Sequence, residues 1–177
     1  MKIAIIGTHS TGKTTLVNKL KEKLDSLGKK VIIVQELVRH CPFPINEETT
    51  IDAQKWIMNN QIAKELEVDH SNKILITDRA TIDNFAYLHR VANEETSRNY
   101  EQIAFDHSST YDLIFKTQKL NIVAVEDGLR TTDEEFRTLI DNIINHFLKK
   151  HQVKFIPLQA TTNYDVHVGD ILERINV

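Results

Sequence analysis

Residues 7–14, Gly-Thr-His-Ser-Thr-Gly-Lys-Thr, satisfy G-x-x-x-x-G-K-[ST] without a mismatch, and no other stretch constrains the fold as strongly. The pattern needs an apolar strand before it and a helix after it, and both are present. "KIAIIG" is a short apolar run of the kind that fills a buried parallel strand. From Lys13 onward, Leu16, Leu20, Leu24 and Leu27 recur at helical spacing, with Gly28 placed as a C-terminal cap. The two glycines let the backbone curl until successive N–H groups point inward as an anion nest. The helix adds its positive N-terminal end. Gly7, His9, Ser10, Thr11, Gly12, Lys13, Thr14 and Thr15 are therefore expected to cradle a triphosphate. Within that set, Lys13 reaches the β- and γ-phosphates, the Thr14 hydroxyl ligates Mg²⁺, and Thr15 hydrogen-bonds the α-phosphate.

Strand and helix patterns then alternate. "KKVIIVQE" reads as a second strand, "KILITD" as a third, "YDLIFKT" as a fourth and "VKFIPL" as a fifth. Helical periodicity covers Thr49 to about His70, the stretch "TIDNFAYLHR", residues 94–109, and Asp165 to Ile175. Thr132-Asp-Glu-Glu135 has capping-box spacing and opens a strongly periodic helix through Phe136, Leu139, Ile140, Ile143, Phe147 and Leu148. Residues 42–48, with Pro42 and Pro44, read as a loop. The alternation predicts an α/β fold, one domain over 1–177, whose mostly parallel sheet is covered on both faces. Ligands in such sheets bind at the carboxyl ends of the strands.

The remaining candidates fall at those ends. A loop of this kind needs a second acid at the end of a neighbouring strand to support the metal. "ILITD" offers Asp78 and "IVAVED" offers Asp127; Asp78 is favoured because it closes a centrally placed strand, with an ion pair to Arg79 as the plainer alternative. Glu36 closes the second strand, where a carboxylate would orient or deprotonate an acceptor hydroxyl, or else simply pair with Arg39. Arg39 and Arg79 are candidate contacts to acceptor or phosphate, against ordinary surface pairing. Asp83 reads equally as an acceptor-binding acid and as a first-turn helix acid. Arg130 is placed on a lid near 117–137, where a mobile arginine would stabilise charge on the transferred group. Arg137 has a weaker claim, since a helix-surface arginine needs no special role. The catalytic set is thus Lys13, Glu36, Asp78 and Arg130. Trp56, Asn59 and Asn60 are possible pocket residues, with helix packing as the simpler reading of Trp56, and "QATTNYD" after the fifth strand is where a donor base would rest.

Composition sets the outer limits. A net charge of −3 gives no bulk electrostatic reason to expect nucleic acid or a membrane as partner. The single cysteine, Cys41, rules out an internal disulfide and fits a reducing compartment. No leader-like segment or membrane-length apolar run is evident, so a cytoplasmic protein is expected. The eight histidines form no ligand spacing for a metal.

Taken together, "GTHSTGKTTL", "QELVR", "DRATIDNFAY" and "EDGLRTTDEEFR" resemble the P-loop ATPase/kinase group that includes the nicotinamide riboside kinase domain and, more distantly, the thymidylate kinases. The resemblance implies a nucleotide-kinase-like three-layer sandwich with a five-stranded parallel sheet in order 2-3-1-4-5. It also implies ATP with Mg²⁺ as phosphoryl donor, and an arginine-bearing lid. By position, Lys13 and Thr14 match the phosphate and metal residues, and Glu36 with Arg39 an E-x-x-R pattern. Asp78-Arg79 match the Asp-Arg pair after strand three, and Arg130 the lid arginine. Glu-Leu-Val-Arg replaces the Arg-Glu-Pro-Gly turn of thymidylate kinases, which counts against thymidylate as substrate. The leading expectation is a phosphotransferase acting on a small nucleoside- or nucleotide-like acceptor. The alternative is a regulatory ATPase or ATP-binding module. A GTPase is disfavoured because no N/T-K-x-D motif follows the fourth strand, and a ring-forming AAA+ motor because no residues remain for its second helical domain.

Overall fold

Parallel strands are buried on both faces, so β1 (Lys2–Ile6) admits no exposed residue and all five of its positions are buried. The structure, a computed structural model, describes residues 1–120 and 133–177. Four more strands complete the sheet: β2 (Val31–Val34), β3 (Ile74–Asp78), β4 (Leu113–Lys116) and β5 (Ile156–Pro157). All pair in parallel, in the order β2-β3-β1-β4-β5. The helices among the described residues are α1 (Lys13–Ser26), α2 (Ile51–Glu67), α3 (Thr81–Val91), α4 (Glu94–Ser108), α5 (Glu134–Lys150) and α6 (Tyr164–Arg174).

The period-2 alternation of β1 divides the core. Ala4 and Ile6 face a cluster built with Phe85, Phe105, Ile140 and Phe147 from α3, α4 and α5. Ile3 and Ile5 face a second cluster with Leu16, Leu20 and Leu24 of α1 and Ile171 of α6. Phe85 meets Phe147 edge-on at 4.8 Å, a favoured aromatic geometry.

Side-chain caps fix several helix starts. Thr50 accepts from Ala53 N, Asn93 from Thr96 N, and Asn163 from Asp165 N. At α5 the cap is Asp133, whose Oδ1 accepts from Glu135 N and Phe136 N; the expected capping residue, Thr132, lies outside the described residues. Gly28 takes φ +73° after α1, and Lys29 N donates back to Leu24 O, which closes the helix end. The elements are shorter than their sequence patterns. β5 keeps only two residues of "VKFIPL", where Pro157 lacks a ladder N–H and sits at the sheet edge. The loop at 42–48 includes a 3₁₀ turn at Asn46–Glu48, and another spans Leu37–His40.

Register places the business end. Ile5 pairs with Asp78 and Ile6 with Lys116, so the chain leaving β1 emerges between the ends of β3 and β4. At the opposite end of the sheet a buried polar cluster closes the structure. Glu65 of α2 receives Lys2 Nζ at 2.7 Å, His107 Nε2 at 2.8 Å, Tyr111 Oη at 2.9 Å and Gln61 Nε2 at 2.6 Å.

Candidate active site

The loop between β1 and α1 depends on both glycines. Gly7 has φ +140°, and a Cβ there would lie 2.3 Å from Thr117 Oγ1. Gly12 has φ +79°, and its Cβ would lie 2.3 Å from the Tyr164 hydroxyl. Ser10 is also left-handed at φ +54°, and its hydroxyl is buried with no partner among the described residues. Hydroxyls brace the turn: Thr11 Oγ1 donates to Thr8 O at 3.0 Å and shares a 2.7 Å bond with Thr117 Oγ1, which itself meets Ile6 O. Thr8 Oγ1 donates to Arg137 O at 3.1 Å. Thr15 is exposed.

Lys13 is buried and its Nζ donates to Thr8 O at 2.5 Å. Burial first, and then the Arg79 guanidinium, lower its pKa from 10.5 to about 7, against the opposing pull of Asp83, Asp78 and Glu36. Five charged side chains from four separate segments thus converge behind one loop.

Asp78, the last residue of β3, accepts from Thr14 Oγ1 at 2.6 Å through Oδ2, while Oδ1 is buried with no partner among the described residues. A hydroxyl beside an unfilled carboxylate oxygen suits Mg²⁺, a hard cation that takes oxygen ligands from one or two protein groups and completes its shell with phosphates and water. No cluster of three or more His, Cys, Asp or Glu side chains among the described residues is arranged to hold a metal. The competing acid Asp127 lies outside the described residues, as does Arg130.

The turn after β3 carries Arg79 at φ +78°, an uncommon conformation for a residue with a side chain. Arg79 Nε donates to Glu36 Oε1, and both side chains are buried. Burial alone would weaken that guanidinium's charge, but Glu36, Tyr87 and Asp83 together more than offset it and hold the pKa well above the usual arginine value. Arg79 lies 5.3 Å from the centre of the Tyr87 ring, and the Tyr87 hydroxyl shares a 3.0 Å hydrogen bond with His9 Nδ1. His9 also packs against Phe136 at 5.5 Å. Although it belongs to the phosphate loop, its ring lines the neighbouring cleft.

That cleft is bounded by Glu36, Arg39, Ile57, Arg79, Asn84 and Tyr87, among others. Glu36 and Arg39 also border the recess that holds Thr14 and Asp78, so one wall serves both spaces. Arg39 itself is exposed. Arg90 Nη2 donates to Asn46 O and Glu47 O at 3.0 Å, securing the segment that contributes Ile45 and Asn46 to the cleft.

Asp83 does not face the cleft as an open carboxylate. Its Oδ1 accepts from Gly7 N at 2.7 Å and its Oδ2 from Ala80 N at 2.9 Å, which is the geometry of the first-turn acid, and it also ties the phosphate loop to α3. Burial raises its pKa, partly countered by Lys13 and Arg79. Arg137 differs from the surface arginine expected of it: it is 2 % exposed, paired with Glu134 at 3.1 Å and donating to Leu120 O. Asn59 and Asn60 bond Tyr100 Oη and Trp56 O, whereas Gln54 and Ile57 of the same helix line the cleft. Sequence reasoning missed Gln54, Asn84 and Tyr87. The available signal was the i, i+3 spacing of Gln54 with Ile57 and of Asn84 with Tyr87.

Fold and phosphate loop together define a P-loop domain with a nucleotide-kinase-like fold. The chain belongs to the AAA domain family, whose profile matches residues 2–165. It is 28% identical over 102 residues to a thymidylate kinase of Acinetobacter baumannii, a match covering 49% of this chain and 51% of that protein. The chain therefore spans about half the length of the curated relatives it matches. Its fold is similar to that of the NadR protein in complex with NR, with a TM-score of 0.75 and 21% identity over 99% of this chain and 52% of that one. It is also similar to a deoxyadenosine kinase from M. mycoides with dCMP and dCDP bound, with a TM-score of 0.70 and 18% identity over 99% and 98% of the two chains. No helix among the described residues is long and apolar enough to cross a membrane.

Proposed function

We propose that the protein is an ATP–Mg²⁺-dependent phosphotransferase that moves the γ-phosphoryl group to a small nucleoside- or nucleotide-like acceptor. The observation that carries this reading is the shared wall: Glu36 and Arg39 border both the recess of Thr14 and Asp78 and the cleft beyond it. A site built only to hold or hydrolyse a nucleotide has no need of a second, partly apolar cleft against its phosphate loop.

In this reading the loop N–H groups and Lys13 hold the triphosphate. Thr14 and Asp78 hold Mg²⁺, which when bound neutralises charge on the β- and γ-oxygens. Asp83 keeps Gly7 in place, and Glu36 orients the acceptor. Chemistry of this type is mostly positioning and electrostatic stabilisation, which suits a site with so many fixed polar contacts. A lid is proposed between β4 and α5, hinged on the fixed ends at Thr117 and Arg137, with Arg130 as the arginine it delivers, within one domain over 1–177. The loop from Gln159 to Asp165 receives the donor base, beside the Tyr164 hydroxyl that abuts Gly12.

ADP release with ATP and Mg²⁺ against pooled nucleosides, nucleoside monophosphates and nicotinamide riboside tests the proposal. Turnover should require one of the pools, and Lys13→Ala should lower it by about 10²- to 10³-fold, as loss of one electrostatic donor does. ADP release that ignores every acceptor yet disappears in Lys13→Ala would instead identify a regulatory ATPase.

A further inference from the structure

We infer that the group phosphorylated is an uncharged hydroxyl of a nucleoside, and that a nucleoside monophosphate is rejected. This rests on the kinase reading above and sharpens it. The first observation concerns charge. Among the described residues lining the cleft, Arg79 is the one buried guanidinium, and its Nε is already committed to Glu36. A phosphate monoester seated there would bring up to two negative charges against the Glu36 carboxylate, in a place where little water screens them. Arg39, the other arginine of the lining, is exposed at the rim.

The second observation is independent of the first. Arg79 Nη1 and Asn84 Nδ2 are buried donors with no hydrogen-bond partner among the described residues. Buried donors are normally satisfied, so this pair marks where ligand oxygens belong. Two donors beside one carboxylate match a hydroxylated ring: sugar oxygens accept from Arg79 and Asn84, and a hydroxyl donates to Glu36. The rest of the lining combines apolar Val38 and Ile57 with the Gln54 amide, which suits a flat heterocycle with a polar edge.

The step balances simply. The acceptor oxygen forms a bond to the γ-phosphorus, the bond from that phosphorus to the β,γ-bridging oxygen breaks, and its electron pair leaves on ADP. The hydroxyl proton passes to the Glu36 carboxylate.

The test compares each common ribo- and deoxyribonucleoside with its own 5′-monophosphate, on the full chain with ATP and Mg²⁺, following both ADP and the phosphorylated product. The best nucleoside should exceed its monophosphate in kcat/KM by about a hundredfold or more, the scale of a buried like-charge clash. In Glu36→Gln, kcat for the nucleoside should fall by about 10²- to 10⁴-fold. In the same variant the monophosphate should bind more tightly, an opposite shift that a merely structural role would not produce. Binding of a fluorescent ATP analogue confirms that the variant is folded, and if it is not, the wild-type comparison alone decides. Preference for the monophosphate overturns this inference and leaves the kinase reading standing. No acceptor-dependent turnover in either series overturns both.

Discussion

Gly12 shows how tightly single positions are specified. Its φ of +79° is strained for any residue with a Cβ, and the space a Cβ would take is filled by the Tyr164 hydroxyl. Gly12→Ala should therefore lower the unfolding free energy by about 1–3 kcal/mol and weaken ATP binding. Adding Tyr164→Ala removes the clash but not the backbone strain, so urea unfolding should show partial recovery and no more. Full recovery in the double variant would mean that φ at Gly12 carries no cost. Positions of this kind were legible in the sequence because the phosphate loop is local: eight consecutive residues contain the whole pattern. Asn84 and Gln54 were not legible. Each is an ordinary polar residue on a helix, and its meaning arises only when α2 and α3 face each other across the cleft.

Between elements, Asp83 is the joint that matters. One carboxylate satisfies the first N–H of the phosphate loop and the N–H that opens α3, both of them buried. Asp83→Ala leaves those two donors without partners and should cost about 2–6 kcal/mol, from about 1–3 for each stranded group. Asp83→Asn keeps an acceptor oxygen and should fall between the variant and wild type in thermal unfolding. Equal stability of all three would remove the joint. Helix spans were readable from their 3.6-residue period, as in α5, where Phe136, Ile140, Phe147 and Leu148 are all buried. Strand lengths were not, because an apolar run marks what is buried and not how far a neighbour extends its ladder. The start of α5 was misplaced by one residue because Thr and Asp both cap well and stand side by side.

Across the whole molecule, the site and the Glu65 cluster occupy opposite ends of the sheet. Burial opposes the charge on Glu65, but hydrogen bonds from His107, Lys2 and Gln61 together with the Lys2 charge outweigh it and bring its pKa below the ordinary 4.5. A carboxyl depressed in the folded state contributes stability that is present above its unfolded pKa and is lost as pH falls through the folded value. Acid unfolding should therefore draw on Glu65, and Glu65→Ala should cost about 3–5 kcal/mol at neutral pH, since it strands Lys2 in a buried setting. Chemical denaturation at neutral and acidic pH checks both statements: the gap between wild type and variant should narrow on acidification. An unchanged gap would exclude Glu65 as the titrating group. The strand order followed from the resemblance of four short motifs, whereas this cluster left no mark in the sequence. Lys2, Glu65, His107 and Tyr111 are too far apart along the chain for any spacing rule to join them.

His9 belongs to the loop that grips phosphate, yet its ring packs into the wall of the adjoining cleft, on Tyr87 and Phe136. Two occupants that lean on one side chain are thermodynamically linked: whatever factor the first changes in the affinity of the second must be returned in full. Titrating a non-hydrolysable ATP analogue with and without the acceptor should give the same factor as the reverse titration, and His9→Ala should bring that factor towards one. The coupling between the two molecules would then be a property of a single imidazole.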